Sequence, residues 1–363
     1  MADLTVDLFA GPGGWSEAMR QLRLREVGLE WDTAACLTRR AAGHATIQCD
    51  VAAYPTEPFK DLIAGLGSSS PCQPWSRAGK GLARKDQPLV HEAVQELSRG
   101  HDTRAKLLGA CRDKRSLLAA EPVRWLYDLR PAWTVMEQVP DVLPLFQHIA
   151  DILRGWGYSV WVGILNAANY GVAQTRRRAI LLASRTHEVA APLPTHTEHD
   201  HGVDLLGERR LGWVSMADAL DLPAGMRINT RGDRKTSGGN EFSCDGPSWA
   251  LTEKARSWWV LRHSKRANAT ERRLDQPAAT LVAGHARHDF QWVRVDGRTD
   301  LEKRPLLLSE AAVLQGFPAD YPFQGSESKK FLQIANAVPP PLGVHVLAAA
   351  SGAGLPVSAE VAA

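Results

Sequence analysis

Thr5-Val-Asp-Leu-Phe-Ala-Gly-Pro-Gly-Gly14 passes from an apolar run into a glycine-rich turn. The run Thr5–Phe9 reads as a short buried strand, Ala10–Gly14 as a tight turn, and roughly Trp15–Arg25 as a helix. Strand, glycine turn and helix together make an anion- and nucleotide-binding device. Glycines let the backbone approach a ligand, and the helix start offers free N–H groups. Taken alone the signal is weak, because such turns also occur for purely structural reasons.

Working outward, the same alternation continues. A second strand should end near Glu30 and a third near Cys49-Asp50. A fourth, around Leu62–Ala64, runs into Gly65-Leu-Gly-Ser-Ser-Ser-Pro71. Thr134–Glu137 reads as a fifth strand, Val142–Trp156 as a helix, and Ser159–Leu165 and Ala179–Ala183 as further strands. Strands separated by helical stretches indicate an α/β fold with a doubly wound, Rossmann-like sheet. The pattern breaks near Ser184. Residues 185–300 are rich in Arg, His, Gly, Pro and Trp and lack a long amphipathic helix, which reads as a second, smaller, irregular domain. Helical period returns at Ser309–Gly316 and Lys329–Ala335. The expected organisation is therefore 1–184, 185–300, a segment 301–350 returning to the first domain, and a frayed tail 351–363.

Composition bounds the function without choosing it. The chain has 363 residues, enough for two domains, with 44% hydrophobic and 23% charged residues, as in an ordinary soluble enzyme. Net charge is +3 and the pI about 8.6, which permits nucleic-acid binding but does not argue for it. Gly225 to Asp275 holds eleven basic and six acidic residues, a local excess that also fits a solvated face. Five cysteines, an odd number with no Cys-x-x-Cys pair, point to a reducing compartment and to neither a disulfide framework nor a metal site. The N-terminal residues carry no cationic segment or apolar core, and no apolar run is long enough to span a membrane. A cytoplasmic protein is expected.

Several residues stand where a nucleotide and a reaction would meet. Glu30, at the end of the second strand, suits two ribose hydroxyls, or is a solvated acid. Trp31 beside it suits an adenine face. Asp50 suits an adenine amino group, or caps a turn. Cys72 lies in a small polar loop after a strand, where open α/β sheets place their chemistry. An isolated cysteine is more often inert packing, but Arg77, Lys80, Arg84 and Lys85 follow closely. Such cations favour a thiolate and bind phosphates.

Six segments, in order, carry a resemblance: Asp7-Leu-Phe-Ala-Gly-Pro-Gly-Gly14, Ser70-Pro-Cys-Gln-Pro-Trp-Ser76, Glu137-Gln-Val139, Gln174-Thr-Arg-Arg-Arg178, Leu314-Gln-Gly-Phe-Pro318 and Gln333-Ile-Ala-Asn-Ala-Val-Pro339. Together they resemble the ordered motifs of the cytosine-5 DNA methyltransferases, which use S-adenosyl-L-methionine. The match runs from residue 5 to about 345. The resemblance implies that Cys72 attacks carbon 6 of cytosine, that Glu137 hydrogen-bonds or protonates N3, and that Arg176 and Arg178 hold the base oxygen, a phosphate and the glutamate. It implies cofactor contacts at Phe9, Gly11, Gly13, Gly14, Glu30, Trp31, Asp50, Val51, Leu107, Asn336 and Val338. Duplex DNA is the implied partner. Gln73, Ser76, Arg77, Lys80, Arg227, Arg231, Arg234, Lys235, Lys254 and Arg256 are the candidate DNA contacts, with residues 185–300 as the target-recognition domain.

The departures concern rate more than reaction. The family's Asn after the catalytic Glu is Gln138 here, the Gly before Asn336 is Ala335, the loop before Pro71 is three serines, and residues 108–132 are longer than the family's minimum. A separately encoded restriction endonuclease partner and a monomeric state are further expectations. Solitary and phage-protection roles would look alike in sequence. The competing readings are an RNA cytosine-5 methyltransferase, transfer of another one-carbon unit, and a catalytically impaired DNA-binding relative. The retention of Cys72, Glu137, Arg176 and Arg178 argues against the last.

Overall fold

The computed structural model describes residues 2–73, 75, 83–198, 210–221, 227–229, 241–243, 256–257, 259–262, 270–274, 276–281, 290–294 and 303–356. Eight strands are named here: β1 Leu4–Leu8, β2 Arg25–Glu30, β3 Thr46–Gln48, β4 Ile63–Ser68, β5 Trp133–Gln138, β6 Ser159–Asn166, β7 Gln174–Thr175 and β8 Arg177–Ser184. The helices are α1 Gly14–Gln21, α2 Thr33–Ala41, α3 Ala83–Leu97, α4 Arg104–Leu108, α5 Glu121–Leu129, α6 Leu143–Gly155, α7 Met216–Ala219, α8 Leu308–Leu314, α9 Glu327–Asn336 and α10 Pro340–Ser351.

Seven of these strands form one sheet in the order β3-β2-β1-β4-β5-β8-β6. Neighbours from β3 to β5 pair in parallel, whereas β8 runs antiparallel to both β5 and β6. The chain leaves β1 toward β2 on one side and returns to β4 on the other. The crevice at the carboxyl ends of β1 and β4 is thus a topological switch point, where open α/β sheets bind ligands. The glycine turn follows β1 and the Cys72 loop follows β4. The reversed β8 has a particular consequence: its first residues stand beside the last residues of β5, with Ala179 opposite Gln138 and Ile180 opposite Glu137. This register delivers Arg176 and Arg178 to the edge that carries Glu137.

Both faces of the sheet are covered, so β8 reads as a continuous apolar run rather than an alternating one. Leu181 and Ala183 pack with α3, α5 and α6, and Ile180 and Leu182 with α1 and α10. A third apolar core joins Leu261, Leu274, Leu281, Phe290 and Trp292 to α8 and α9 through Leu314, Phe317, Phe331 and Ile334. The segment after residue 301 is therefore divided. α8 and α9 pack with residues of the second region, and α10 covers the sheet.

β7 joins the parts. It pairs in parallel with Ala278–Ala279, and buried Gln174 donates to the Leu314 carbonyl at 3.2 Å and to Gln315 Oε1 at 2.9 Å. Gln315 in turn donates to the Ala337 carbonyl at 2.6 Å. Among the described residues no helix is long and apolar enough to cross a membrane, and no group of three or more metal-ligating side chains occurs.

Candidate active site

The glycine turn is shaped by close packing on one side and open space on the other. Phe9, directly after β1, is in left-handed backbone, φ 59°, which is costly for a residue with a side chain. A Cβ on Gly14 would stand 2.3 Å from the Val338 carbonyl oxygen, so the segment after α9 lies directly on the start of α1. A Cβ on Gly11, by contrast, would meet nothing within 4 Å among the described residues. No side chain caps α1, which leaves its first N–H groups for a ligand.

Glu30 is anchored by this turn. Its Oε2 accepts from Gly11 N–H at 2.8 Å, and its Oε1 from the N–H groups of Trp31 and Asp32 at 2.8 and 2.7 Å. A carboxylate has about four lone-pair directions, so capacity remains on Oε2. Trp31 is 72% exposed beside it. Asp50 is exposed and accepts from Ala52 N–H at 2.9 Å, which makes it a turn-closing residue, one of its two expected roles. Val51, Leu107 and Val338 are buried.

The Cys72 loop is tied down on both sides. Ser69 N–H donates to the Leu8 carbonyl at 3.2 Å, and Ser69 Oγ accepts from Trp15 Nε1 at 2.9 Å. Gln138 Nε2 donates to the Ser70 carbonyl at 2.7 Å, while its Oε1 accepts from Val139 N–H. The longer amide that replaces the family's Asn thus reaches the cysteine loop, and the serines supply its anchor points. Trp75 N–H closes a turn onto the Cys72 carbonyl at 3.0 Å, and the Trp75 ring is buried.

Cys72 itself is half-buried, with Sγ 3.8 Å from Asn336 Oδ1. Asn336, expected on the cofactor side, therefore touches the thiol. Burial pushes the thiol pKa up. The guanidiniums of Arg178 and Arg176 pull it down, and Glu137 adds to the rise. Glu137 pairs with Arg178, Oε1 to Nε at 2.9 Å, both side chains nearly sequestered. Arg176 is 2% exposed and donates through Nη1 to the Ala335 carbonyl at 2.9 Å. Its backbone N–H is held by Asn166 Oδ1 at 3.0 Å. Burial, then the charge of Arg178, lowers the Arg176 pKa, yet a guanidinium keeps its proton at neutral pH. Its Nε–H is buried without an acceptor among the described residues.

Cys72, Glu137, Arg176 and Arg178 thus share one electrostatic site, built from the ends of β4, β5, β7 and β8. The C-5 cytosine-specific DNA methylase profile matches residues 4–100 and 105–351. The chain belongs to that family. Type II methyltransferase M1.HphI of Haemophilus parahaemolyticus is 27% identical to this methylase, covering 92% of the chain and 83% of the relative. Type II methyltransferase M.NgoPII of Neisseria gonorrhoeae is 24% identical, covering 95% and 94%. Among solved structures, the S. pombe Dnmt2 methyltransferase superposes with a TM-score of 0.59 at 15% identity, covering 95% of this chain and 97% of its own, which bears on the fold alone.

Some expected positions stay apart from this picture. Gln73 is half-buried next to Cys72. Arg227 and Arg256 lie on short paired strands, where Asn229 opposes Arg256 and Arg227 opposes Ser243, but their side chains are outside the described residues. Ser76, Arg77, Lys80, Arg231, Arg234, Lys235 and Lys254 lie wholly outside them. Sequence reasoning did not find Ser69, Ser70 and Asn166 as supports. The partners of the two serines are distant in the chain, and only the glutamine after Glu137 hinted at such a contact.

Proposed function

We propose that this methylase transfers a methyl group from S-adenosylmethionine to carbon 5 of a cytosine flipped out of duplex DNA, with Cys72 forming a transient bond to carbon 6. The observation that carries the reading is the convergence of a thiol, a carboxylate and two guanidiniums on one sequestered edge. Carbon 5 of cytosine is a poor nucleophile. Addition of the Cys72 thiolate at carbon 6 makes an enamine of the ring and sends negative charge toward N3 and O2. Glu137 meets N3, oriented by Arg178, which already grips its Oε1. The unsatisfied Nε–H of Arg176 suits the base oxygen. Once carbon 5 is methylated, water takes its proton, the electron pair of that C–H bond restores the 5,6 double bond, and the sulfur–carbon bond breaks with its pair on sulfur, returning the Cys72 thiolate.

The residues present fit the cofactor. Open space at Gly11, an uncapped α1 and an exposed Trp31 beside Glu30 make a cradle for it. Bound there, S-adenosylmethionine supplies a methyl on a cationic sulfur. Phe9, Gly11, Gly13 and Gly14 would hold its amino-acid part, Glu30 the ribose, and Trp31, Asp50 and Val51 the adenine. Leu107, Asn336 and Val338 would line the remainder. Flipping the base costs a few kcal/mol of unstacking, offset by pocket contacts. The cations of the recognition region would hold phosphates or read guanines. A separately encoded restriction endonuclease as partner belongs to the same proposal, as does a monomeric enzyme.

DNA synthesised with 5-fluorocytosine tests the nucleophile in every sequence context at once. Fluorine cannot leave carbon 5 as a proton does, so the covalent bond persists. Wild type with S-adenosylmethionine should give a denaturation-resistant protein–DNA adduct that Cys72→Ala does not form. Intact DNA binding with no adduct in wild type would contradict the reading.

A further inference from the structure

Residues 102–124 hold a buried ion cluster that the chemistry at Cys72 does not use. Glu121 opens α5 and is 1% exposed. Its Oε1 accepts from Arg124 Nε at 2.6 Å, and Arg104 Nη1 closes on its Oε2. Arg104 also grips Asp102, Nε to Oδ1 at 2.8 Å and Nη2 to Oδ2 at 2.7 Å. Further donors of both arginines turn to one place. Arg124 Nη2 reaches the carbonyls of Val51 and Tyr54, each at 3.0 Å, and Arg104 Nη1 reaches that of Ala52 at 3.1 Å. The Tyr54 ring lies nearly parallel to Trp125, the next residue of α5, at 14°.

Three carbonyls of one irregular turn therefore end on two guanidiniums that share a single buried carboxylate. That turn starts at Asp50 and includes Val51. The same Arg104 begins α4, which carries Leu107. A turn with no helix or strand of its own is here held in one shape from beneath. Such preorganisation spares a ligand the cost of ordering the turn.

We propose that Glu121, with Arg104 and Arg124, is a positioning residue for the adenine end of the cofactor, setting the Asp50–Tyr54 turn and the Leu107 segment against each other. The proposal rests on the cofactor reading above. Glu121 touches neither cofactor nor base, so it acts on cofactor affinity and leaves the chemical step alone.

The test uses calorimetric binding of S-adenosylhomocysteine and of 5′-methylthioadenosine, which lacks the amino-acid end, to the full chain. Glu121→Gln keeps the volume and removes the charge. It should weaken both ligands by the same factor, about tenfold. KM for S-adenosylmethionine should rise in step, with kcat at saturation and KM for DNA unchanged. Arg104→Lys, nearer the surface, keeps the charge but loses the fork and should give a smaller loss of the same kind. If Glu121→Gln does not fold, Arg104→Lys decides. Wild-type affinity in a folded variant, or a fall in kcat with KM unchanged, overturns the proposal. Failure of the wild type to bind S-adenosylhomocysteine would instead overturn the cofactor reading itself.

Discussion

The two halves of the ligand-binding edge are held together in different ways. On the cofactor half, beside β1 and β2, the acidic group is satisfied by backbone. Glu30 takes three N–H groups from residues within twenty positions of it, one from Gly11 of the glycine turn and two from the residues that follow it, Trp31 and Asp32. On the cysteine half, beside β4 and β5, side chains reach groups across long sequence separations. Glu137 meets Arg178, Gln138 meets Ser70, and Cys72 meets Asn336. The first arrangement is local, leaves Trp31 open to solvent, and is ready before a ligand arrives. The second is assembled only by the completed fold, and it leaves a charged donor, Arg176 Nε, unsatisfied. An unsatisfied buried donor is a cost that a substrate can remove. On the proposed reading, the first half supplies affinity for the cofactor and the second the reaction.

If this contrast holds, substitutions in the two halves should separate KM from kcat. The largest effect is expected for Cys72→Ala, which should abolish methyl transfer while S-adenosylhomocysteine binding, measured by calorimetry, stays at the wild-type level. Arg178→Ala comes next. It leaves Glu137 sequestered without its partner and should cost about 3–5 kcal/mol of stability by denaturant titration. Transfer by the same variant should slow at least about a hundredfold. Arg178→Lys should recover more of the stability than of the rate, since one ammonium cannot reproduce the fork. Glu30→Ala should raise KM for S-adenosylmethionine about tenfold or more with kcat unchanged. A fall in kcat there would erase the contrast. Gln138→Ala frees the Ser70 carbonyl and should lower kcat about tenfold through a misplaced cysteine loop. Gln138→Asn, with a shorter reach, should fall between that variant and wild type.

The smallest effect concerns Asp7 beneath the glycine turn. Burial raises its carboxyl pKa to about 7 against the opposing pull of Arg39, and neither oxygen has a hydrogen-bond partner. Because the folded pKa lies above the unfolded one, this group's favourable contribution is present in acid and lost as pH rises through neutrality. The melting temperature of wild type relative to Asp7→Asn should therefore fall between about pH 5 and about pH 8. Asp86 gives the opposite sign. Against burial, the N–H groups of Arg112 and Asp113 and the Ser116 hydroxyl hold its pKa low. Its contribution is lost on acidification instead.

The sheet was legible in sequence because its strands are short apolar runs ended by glycine, proline or polar turns, and the six ordered motifs name the residues at their ends. Two long helices were not. α3 follows a basic, glycine-containing stretch of sequence and carries Pro88 in its first turns, which reads as a break. α10, Pro340–Ser351, is apolar on every side because α1, β5 and β8 surround it, so it lacks an amphipathic period. The reversed direction of β8, which carries two arginines to Glu137, is a matter of tertiary pairing that no local pattern encodes. The same holds for the pairing of Glu121 with Arg104 and for the reach of Arg104 and Arg124 to the carbonyls of Val51, Ala52 and Tyr54. Sequence spacing separates these residues, and only packing joins them.

Transfer of labelled methyl from S-adenosylmethionine to duplex DNA, by wild type and by Cys72→Ala, followed by mapping of modified cytosines at single-base resolution, tests the central claim most directly. The account predicts label at carbon 5 of cytosine in one defined context, absent in the variant although the variant still binds cofactor. Label of equal amount in both proteins, or none in DNA from a wild type that binds cofactor, would contradict it.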